Sequence, residues 1–322
     1  MVRIQIISDL HLETPPKSYD IVEIAPRAPY LALLGDIGCC STSHKAEYLG
    51  FLRRHLRVFR VVFLVLGNHE AYHSTWQESR DVLREFEAEV RRERRRAVAA
   101  DVDGGGGGGA DGSLGEFVLL DRDSYTIHPD PDSSSSSSSS KNLDHSTDDG
   151  AVTILGCTLF SHVPIRAAQR VSMGLNDFRV IGDGWDVAQH NAAFRGDLAW
   201  LNEQVMALSN SSNSKTKIVI FTHHCPTLDD RAIDPQHRGS PLTAGFASDL
   251  SKQPCVTTNT TATNKGIVKL WAFGHTHYNC DFVDDDDGGG GEAKSGIRFY
   301  TNQRGYYHRQ SPGYQEDKVV EV

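Results

Sequence analysis

The stretch Val61-Val62-Phe63-Leu64-Val65-Leu66-Gly67-Asn68-His69-Glu70 runs six apolar residues into a glycine, then an amide, an imidazole and a carboxylate. The apolar half reads as a short buried strand. The polar half carries groups that hold metal ions or move protons. Four other places repeat the arrangement. Val2–Ile7 leads to Asp9-Leu10-His11, and Leu31–Leu34 to Gly35-Asp36. Lys217–Phe221 leads to Thr222-His223-His224, and Ile267–Phe273 to Gly274-His275-Thr276-His277. Ligand groups at the ends of neighbouring strands converge on one crevice, which is where open α/β sheets bind ligands.

Helices and strands alternate around these motifs. Val82, Leu83, Phe86 and Val90 recur at helical spacing, which predicts a helix from Thr75 to about Arg96. Its basic run Arg91–Arg96 reads as a solvated helix end, where cations favour the dipole. Phe194, Leu198, Leu201, Val205 and Leu208 predict a second helix over Val187–Leu208. Val152–Phe160 and Ile297–Tyr300 read as further strands.

The chain reads as one domain over residues 1–322 with two low-complexity insertions, at about 97–150 and 284–291. The first holds Gly104–Gly109 and Ser133–Ser140, tracts that cannot bury enough apolar surface to offset their ordering entropy. Between them, Gly115–Ile127 is apolar enough to form a strand or two. The second is four aspartates and four glycines, an acidic hairpin tip without the spaced ligands of a calcium loop.

Acidic residues number 42 against 33 basic, for a net charge of −9. That balance argues against a duplex nucleic acid or an anionic membrane as the main partner. It leaves phosphate substrates open, because bound divalent cations would dominate the local charge. No cysteine pair has zinc-ribbon spacing, and six cysteines are few for a secreted disulfide scaffold. The first residues form no signal-peptide apolar region, and the longest apolar run is too short to span a bilayer. A soluble cytoplasmic protein is the expectation; nothing in the sequence sets its oligomeric state.

The motifs carry a consistent chemistry. A hard or borderline divalent ion at a phosphate needs carboxylate, imidazole and carbonyl oxygen ligands. Asp9 and His11 stand two apart beyond a strand, so alternation of side chains aims both at one ion. His275 and His277 repeat that spacing. Asp36 has two oxygens and can bridge two ions, and Gly35 lets the backbone crowd the site. Asn68 offers an amide oxygen, while His69 beside it points elsewhere and is free for proton transfer.

In this order, the five motifs resemble those of the calcineurin-like metallophosphoesterase superfamily, from Val2 to about Tyr307 apart from the insertions. The resemblance implies an α/β (α+β) fold, a four-layer α-β-β-α sandwich of two mixed sheets. It implies Asp9, His11, Asp36 and His277 on one metal ion and Asp36, Asn68, His223 and His275 on a second. Manganese, iron and zinc are the candidates. It implies His69 as the acid near the leaving group, so that His69 and Asp36 are the catalytic residues. Substrate contacts are expected of His162, at the end of the Val152 strand, of His224 and of Arg304. His224 either faces the substrate or packs, and Glu70 either orients the site or caps the next helix. Arg304 lies in Asn302-Gln303-Arg304-Gly305-Tyr306, which resembles a terminal segment of some bacterial and fungal members. Asn176-Asp177-Phe178 is a weaker substrate-contact candidate.

The expected function is hydrolysis of a small phosphoester by a metal-bridging hydroxide, with His69 protonating the leaving oxygen. The alternatives are a phosphodiesterase or nuclease, and a non-catalytic binding module on the same fold.

Overall fold

The computed structural model describes residues 1–103, 114–128, 150–210, 217–260, 266–285 and 294–322. The tracts Gly104–Gly109 and Ser133–Ser140, and the acidic run from residue 286 onward, lie outside the described residues.

In chain order the first strands are β1 (Arg3–Ile7), β2 (Tyr30–Leu34), β3 (Val61–Val65), β4 (Glu116–Leu119) and β5 (Asp123–Ile127). Next come β6 (Val152–Cys157), β7 (Lys217–Thr222), β8 (Val268–Ala272), β9 (Asp281–Val283) and β10 (Arg298–Tyr300). The last are β11 (Gly305–Tyr306), β12 (Arg309–Gln310) and β13 (Val319–Glu321). The α-helices are α1 (Ser18–Ile21), α2 (Lys45–His55), α3 (Trp76–Asp103), α4 (Ile165–Gly174), α5 (Asp177–Val180), α6 (Val187–Asn210) and α7 (Pro254–Thr257).

One sheet has the order β13-β1-β2-β3-β4, parallel except for β13. The other has the order β5-β6-β7-β8-β10-β9, parallel in the middle with antiparallel edges. Side-chain alternation assigns each residue to a layer. Tyr30, Ala32, Leu34, Val61, Phe63 and Val65 meet Val152, Ile154, Val219, Phe221, Leu270 and Ala272 in the core between the sheets. Their neighbours Leu31, Leu33, Val62, Leu64, Ile218 and Ile220 turn outward and pack with Phe51, Leu83, Phe86, Phe194 and Leu201 of the helices. Strands covered on both faces are apolar throughout, which is why β2 and β3 read as unbroken apolar runs. The result is the expected four-layer sandwich.

The apolar stretch Gly115–Ile127 supplies β4 to one sheet and β5 to the other. The α3 helix begins with a capping box: the Glu78 N–H donates to Thr75 Oγ1, and the Thr75 N–H to Glu78 Oε2, both at 3.1 Å. It runs to Asp103, beyond the expected end near Arg96. Ala97, Val98, Ala99 and Ala100 continue it because alanine is the best helix former and no glycine intervenes before Gly104. No described helix is long and apolar enough to cross a membrane.

Candidate metal centre

The motifs past the C-terminal ends of β1, β2, β3, β7 and β8 bring their Asp and His side chains together on one side of the sandwich. Three sets of ligand atoms lie within 4.8 Å of one another: Asp9, His11 and His277; His11, Asp36 and His69; and Asp36, His223 and His275. Asp36 faces both sides. Its Oδ2 is 3.9 Å from His11 Nε2 and its Oδ1 is 3.5 Å from His223 Nε2. Asn68 Oδ1 is 3.1 Å from His223 Nε2, which places the amide with the second group. All seven expected metal ligands are therefore brought together.

The reason the spacing works differs from alternation along a strand. Asp9, His11, Asp36, His275 and His277 all have positive φ, between 49° and 68°. They stand in tight turns past the strand ends, where alternation no longer holds. His275 and His277 go to different clusters, although Asp9 and His11 share one. Left-handed conformations in non-glycine residues cost on the order of 1–3 kcal/mol each and persist only where surrounding contacts hold them.

Glu70 holds the Asp36 turn. Its buried carboxylate accepts the backbone N–H groups of Gly67 (2.7 Å), Ile37 (2.9 Å) and Asp36 (3.0 Å), and the Tyr48 hydroxyl (3.1 Å). It thus ties the β2 and β3 loops together and orients the site. The Asp36 carboxylate accepts the His69 N–H at 2.8 Å, and the Asp9 carboxylate the His275 N–H at 3.0 Å. A Cβ at Gly35 would strike the His223 ring and come within 2.6 Å of the Gly67 nitrogen, so the two loops close only around a glycine.

The donor set fits divalent ions. Nε2 of His11 and Nε2 of His277 lie 2.9 Å apart, and Nε2 of His223 and Nδ1 of His275 lie 3.2 Å apart. Neutral imidazole lone pairs converge at such distances only around a proton or a cation. Nδ1 of His223 lies 2.8 Å from the Leu34 carbonyl oxygen, an arrangement that leaves Nε2 for an ion. Burial opposes charge on His223, yet Asp36 and Asp9 hold its pKa up at about 10. Burial equally opposes charge on Asp36, whose carboxyl is nevertheless held well below the usual range by His223 and His69. Protonated imidazoles thus balance the carboxylates, and a binding cation would displace those protons.

His69 stands apart in its partners. Its Nδ1 lies 2.8 Å from Glu13 Oε1, and its Nε2 lies 3.9 Å from Asp36 Oδ2. Burial lowers its basicity, but Asp36 and Glu13 outweigh that and raise its pKa to about 9. His69 also offers a ligand atom alongside His11 and Asp36.

The expected substrate contacts fare differently. His224 is 1 % exposed and lies with its ring centroid 4.1 Å from that of His275, so it packs behind the centre. His162 is exposed, leans on Phe194 at 5.8 Å and joins neither cluster. Arg304 is half-buried and ties its backbone N–H to the Ser8 carbonyl at 3.0 Å.

Several residues near the site take parts that the sequence did not give them. Asp177 is buried, and its carboxylate accepts the Asn68 amide (2.8 Å) and the Tyr72 hydroxyl (2.7 Å); it orients a ligand instead of facing a substrate. Gln303 Oε1 accepts the His277 N–H at 2.6 Å. Glu13 stands two residues past His11, a spacing visible in the sequence. Burial opposes its charge, but His11 and His69 hold its pKa down to about 2. Tyr306 stacks on His11 at 4.2 Å.

A family model described as calcineurin-like phosphoesterase matches residues 2–279. An uncharacterized protein of Acanthamoeba polyphaga mimivirus, L509, is 24% identical over 323 residues, covering 96% of this chain and 92% of its own. Among solved structures, the phosphopantetheinyl hydrolase of Mycobacterium tuberculosis aligns at a TM-score of 0.55 and 15% identity, over 94% of this chain and 89% of that one. A dimetal phosphatase of Danio rerio aligns at a TM-score of 0.42 and 15% identity, over 93% and 86%. The mycobacterial likeness extends to the fold.

Proposed function

Because the chain belongs to the calcineurin-like phosphoesterase family, we propose that it hydrolyses a small phosphoester at the paired clusters sharing Asp36. Phosphoester hydrolysis follows from the family; the metal count, the substrate size and the roles of single residues are our reading. The observation that carries it is the buried Asp36 carboxylate, one oxygen toward His11 and the other toward His223.

In this reading Asp9, His11 and His277 hold one divalent ion and Asn68, His223 and His275 hold the other, with Asp36 between. Such a pair, when bound, neutralises phosphoryl charge and makes water a stronger nucleophile at neutral pH. Glu70 and Asp177 keep Asp36 and Asn68 in place. Glu13 fixes Nδ1 of His69, so Nε2 faces the space above Asp36 and gives its proton to the leaving oxygen. A small substrate agrees with the surface charge. Arg53 is paired with Glu89 (2.6 Å) and Glu93 (2.7 Å), so its charge is already matched by carboxylates.

The test is a panel of phosphoesters assayed with manganese, iron or zinc. Small esters should be hydrolysed with weak salt dependence, and duplex DNA hardly at all. His69→Asn should lower kcat by about 10²–10⁴-fold with metal content retained. Metal loss on that substitution would make His69 a ligand, and duplex cleavage at matching rates would overturn the small-substrate reading.

A further inference from the structure

The β11–β12 hairpin is absorbed by none of the roles above, yet it reaches the centre. Its base is pinned to the sheet: Ser8 bridges to Gln303, the Arg304 N–H donates to the Ser8 carbonyl, and the Ser311 N–H to the Arg304 carbonyl at 2.8 Å. Gly305, at φ 76°, lets the chain turn there; a Cβ would meet Ser311 Oγ at 2.7 Å. The next residue, Tyr306, is thereby laid over the site. Its ring stacks on His11 at 4.2 Å and meets His277 edge-on at 4.9 Å. His308, exposed at the hairpin tip, stacks with it at 5.6 Å with 12° between the ring planes. Three rings thus border it, and its hydroxyl oxygen ends 3.5 Å from His69 Nε2.

We infer that Tyr306 is a catalytic residue that donates a hydrogen bond to the leaving-group oxygen beside His69, which suits the site to phosphoesters of poorly departing aliphatic alcohols. The inference rests on the proposed role of His69. Water attacks phosphorus, and the P–O bond to the alcohol breaks with its electron pair passing to the alcohol oxygen. That oxygen takes the proton from His69 Nε2. One proton of the water stays on the phosphate, and the other returns to His69 through solvent. Tyr306 keeps its own proton throughout and stabilises the charge that builds on the departing oxygen. Two donors on one oxygen help most where the alcohol is a weak acid. An aryl leaving group carries its own charge and needs neither.

Tyr306→Phe keeps the ring and its stacking and removes only the hydroxyl. Assayed with metal content and melting temperature measured alongside, it should lose about 10²-fold in kcat on an alkyl phosphate, the scale of one oxyanion donor. On 2,4-dinitrophenyl phosphate the loss should be under threefold. The affinity for inorganic phosphate, measured by calorimetry, should stay within twofold, because the hydroxyl meets the oxygen that leaves and not the group that stays. Equal losses on both esters, no loss on the alkyl ester, or a tenfold fall in phosphate affinity would each overturn the inference. His69→Asn run in parallel separates the two readings. If it loses metal, the acid role of His69 fails, while the leaving-group dependence of Tyr306→Phe still stands or falls by itself.

Discussion

Glu70 and His224 are both buried beside the metal centre, on opposite sheets, and are held in opposite ways. Glu70, behind β2 and β3, has four donors on its carboxylate, three of them backbone N–H groups. His224, past β7, has no hydrogen-bond partner among the described residues for either ring nitrogen. It is kept by ring contacts with His275, His190 and Phe160 at 4.1, 5.6 and 5.7 Å. Glu70 is therefore fixed by directed hydrogen bonds that tie the Asp36 turn to the β3 loop. The His224 ring is fixed by packing, which sets position but is tolerant of chemistry.

The largest effect should come from the bonded side. Glu70→Leu leaves three buried N–H groups without an acceptor, at about 1–3 kcal/mol each. Chemical denaturation should show a loss of at least about 3 kcal/mol, with metal content falling as the Asp36 turn relaxes. A variant with near-normal stability would mean that the turns hold themselves.

Asp177→Ala should act more locally. It leaves the Asn68 amide held by the Tyr72 hydroxyl alone (3.1 Å) and should lower the affinity of one metal ion by about 10–100-fold, as expected for a group that orients a ligand. Titration with metal should show one weakened site and one unchanged.

The smallest effect is expected on the packed side. His224→Phe replaces a five-membered ring by a somewhat larger six-membered one and removes two nitrogens without partners among the described residues, so the gain and the crowding offset and stability should change by less than about 2 kcal/mol. Turnover should change little, since the ring is closed off from the cleft. The same packing predicts a pH response. Burial lowers the pKa of the neighbouring His190 to about 4, below the ordinary 6.5. The fold favours its neutral form, so that contribution is present above pH 6.5 and lost as pH falls through 4. His190→Phe should flatten the fall in melting temperature over that range. An unchanged profile would place the acid sensitivity elsewhere.

The comparison also explains what the sequence made legible. The candidate ligands and the strands before them stood out because each motif follows a short, mostly apolar and mostly buried strand. The place of Asp36 between His11 and His223 agrees with the two oxygens it offers. Glu70 closes its motif, yet two of its three N–H donors come from 33 and 34 residues away, which no local pattern reveals. Alternation along a strand was the wrong basis for pairing His275 with His277, because turns with positive φ replace the strand before either residue. Asp177 and Tyr306 act across 109 and 237 residues of chain separation, and only the folded sheet brings them to Asn68 and His69.

The central claim is that one carboxylate joins two metal ions, and counting them tests it most directly. Protein stripped with chelator, reconstituted with manganese, iron or zinc, and freed of excess metal should carry two ions per chain by elemental analysis. Asp36→Asn, which keeps the shape and removes the charge between the clusters, should weaken both together. One ion or none in the unaltered protein, or the loss of a single ion in Asp36→Asn with the other held at full affinity, would contradict it.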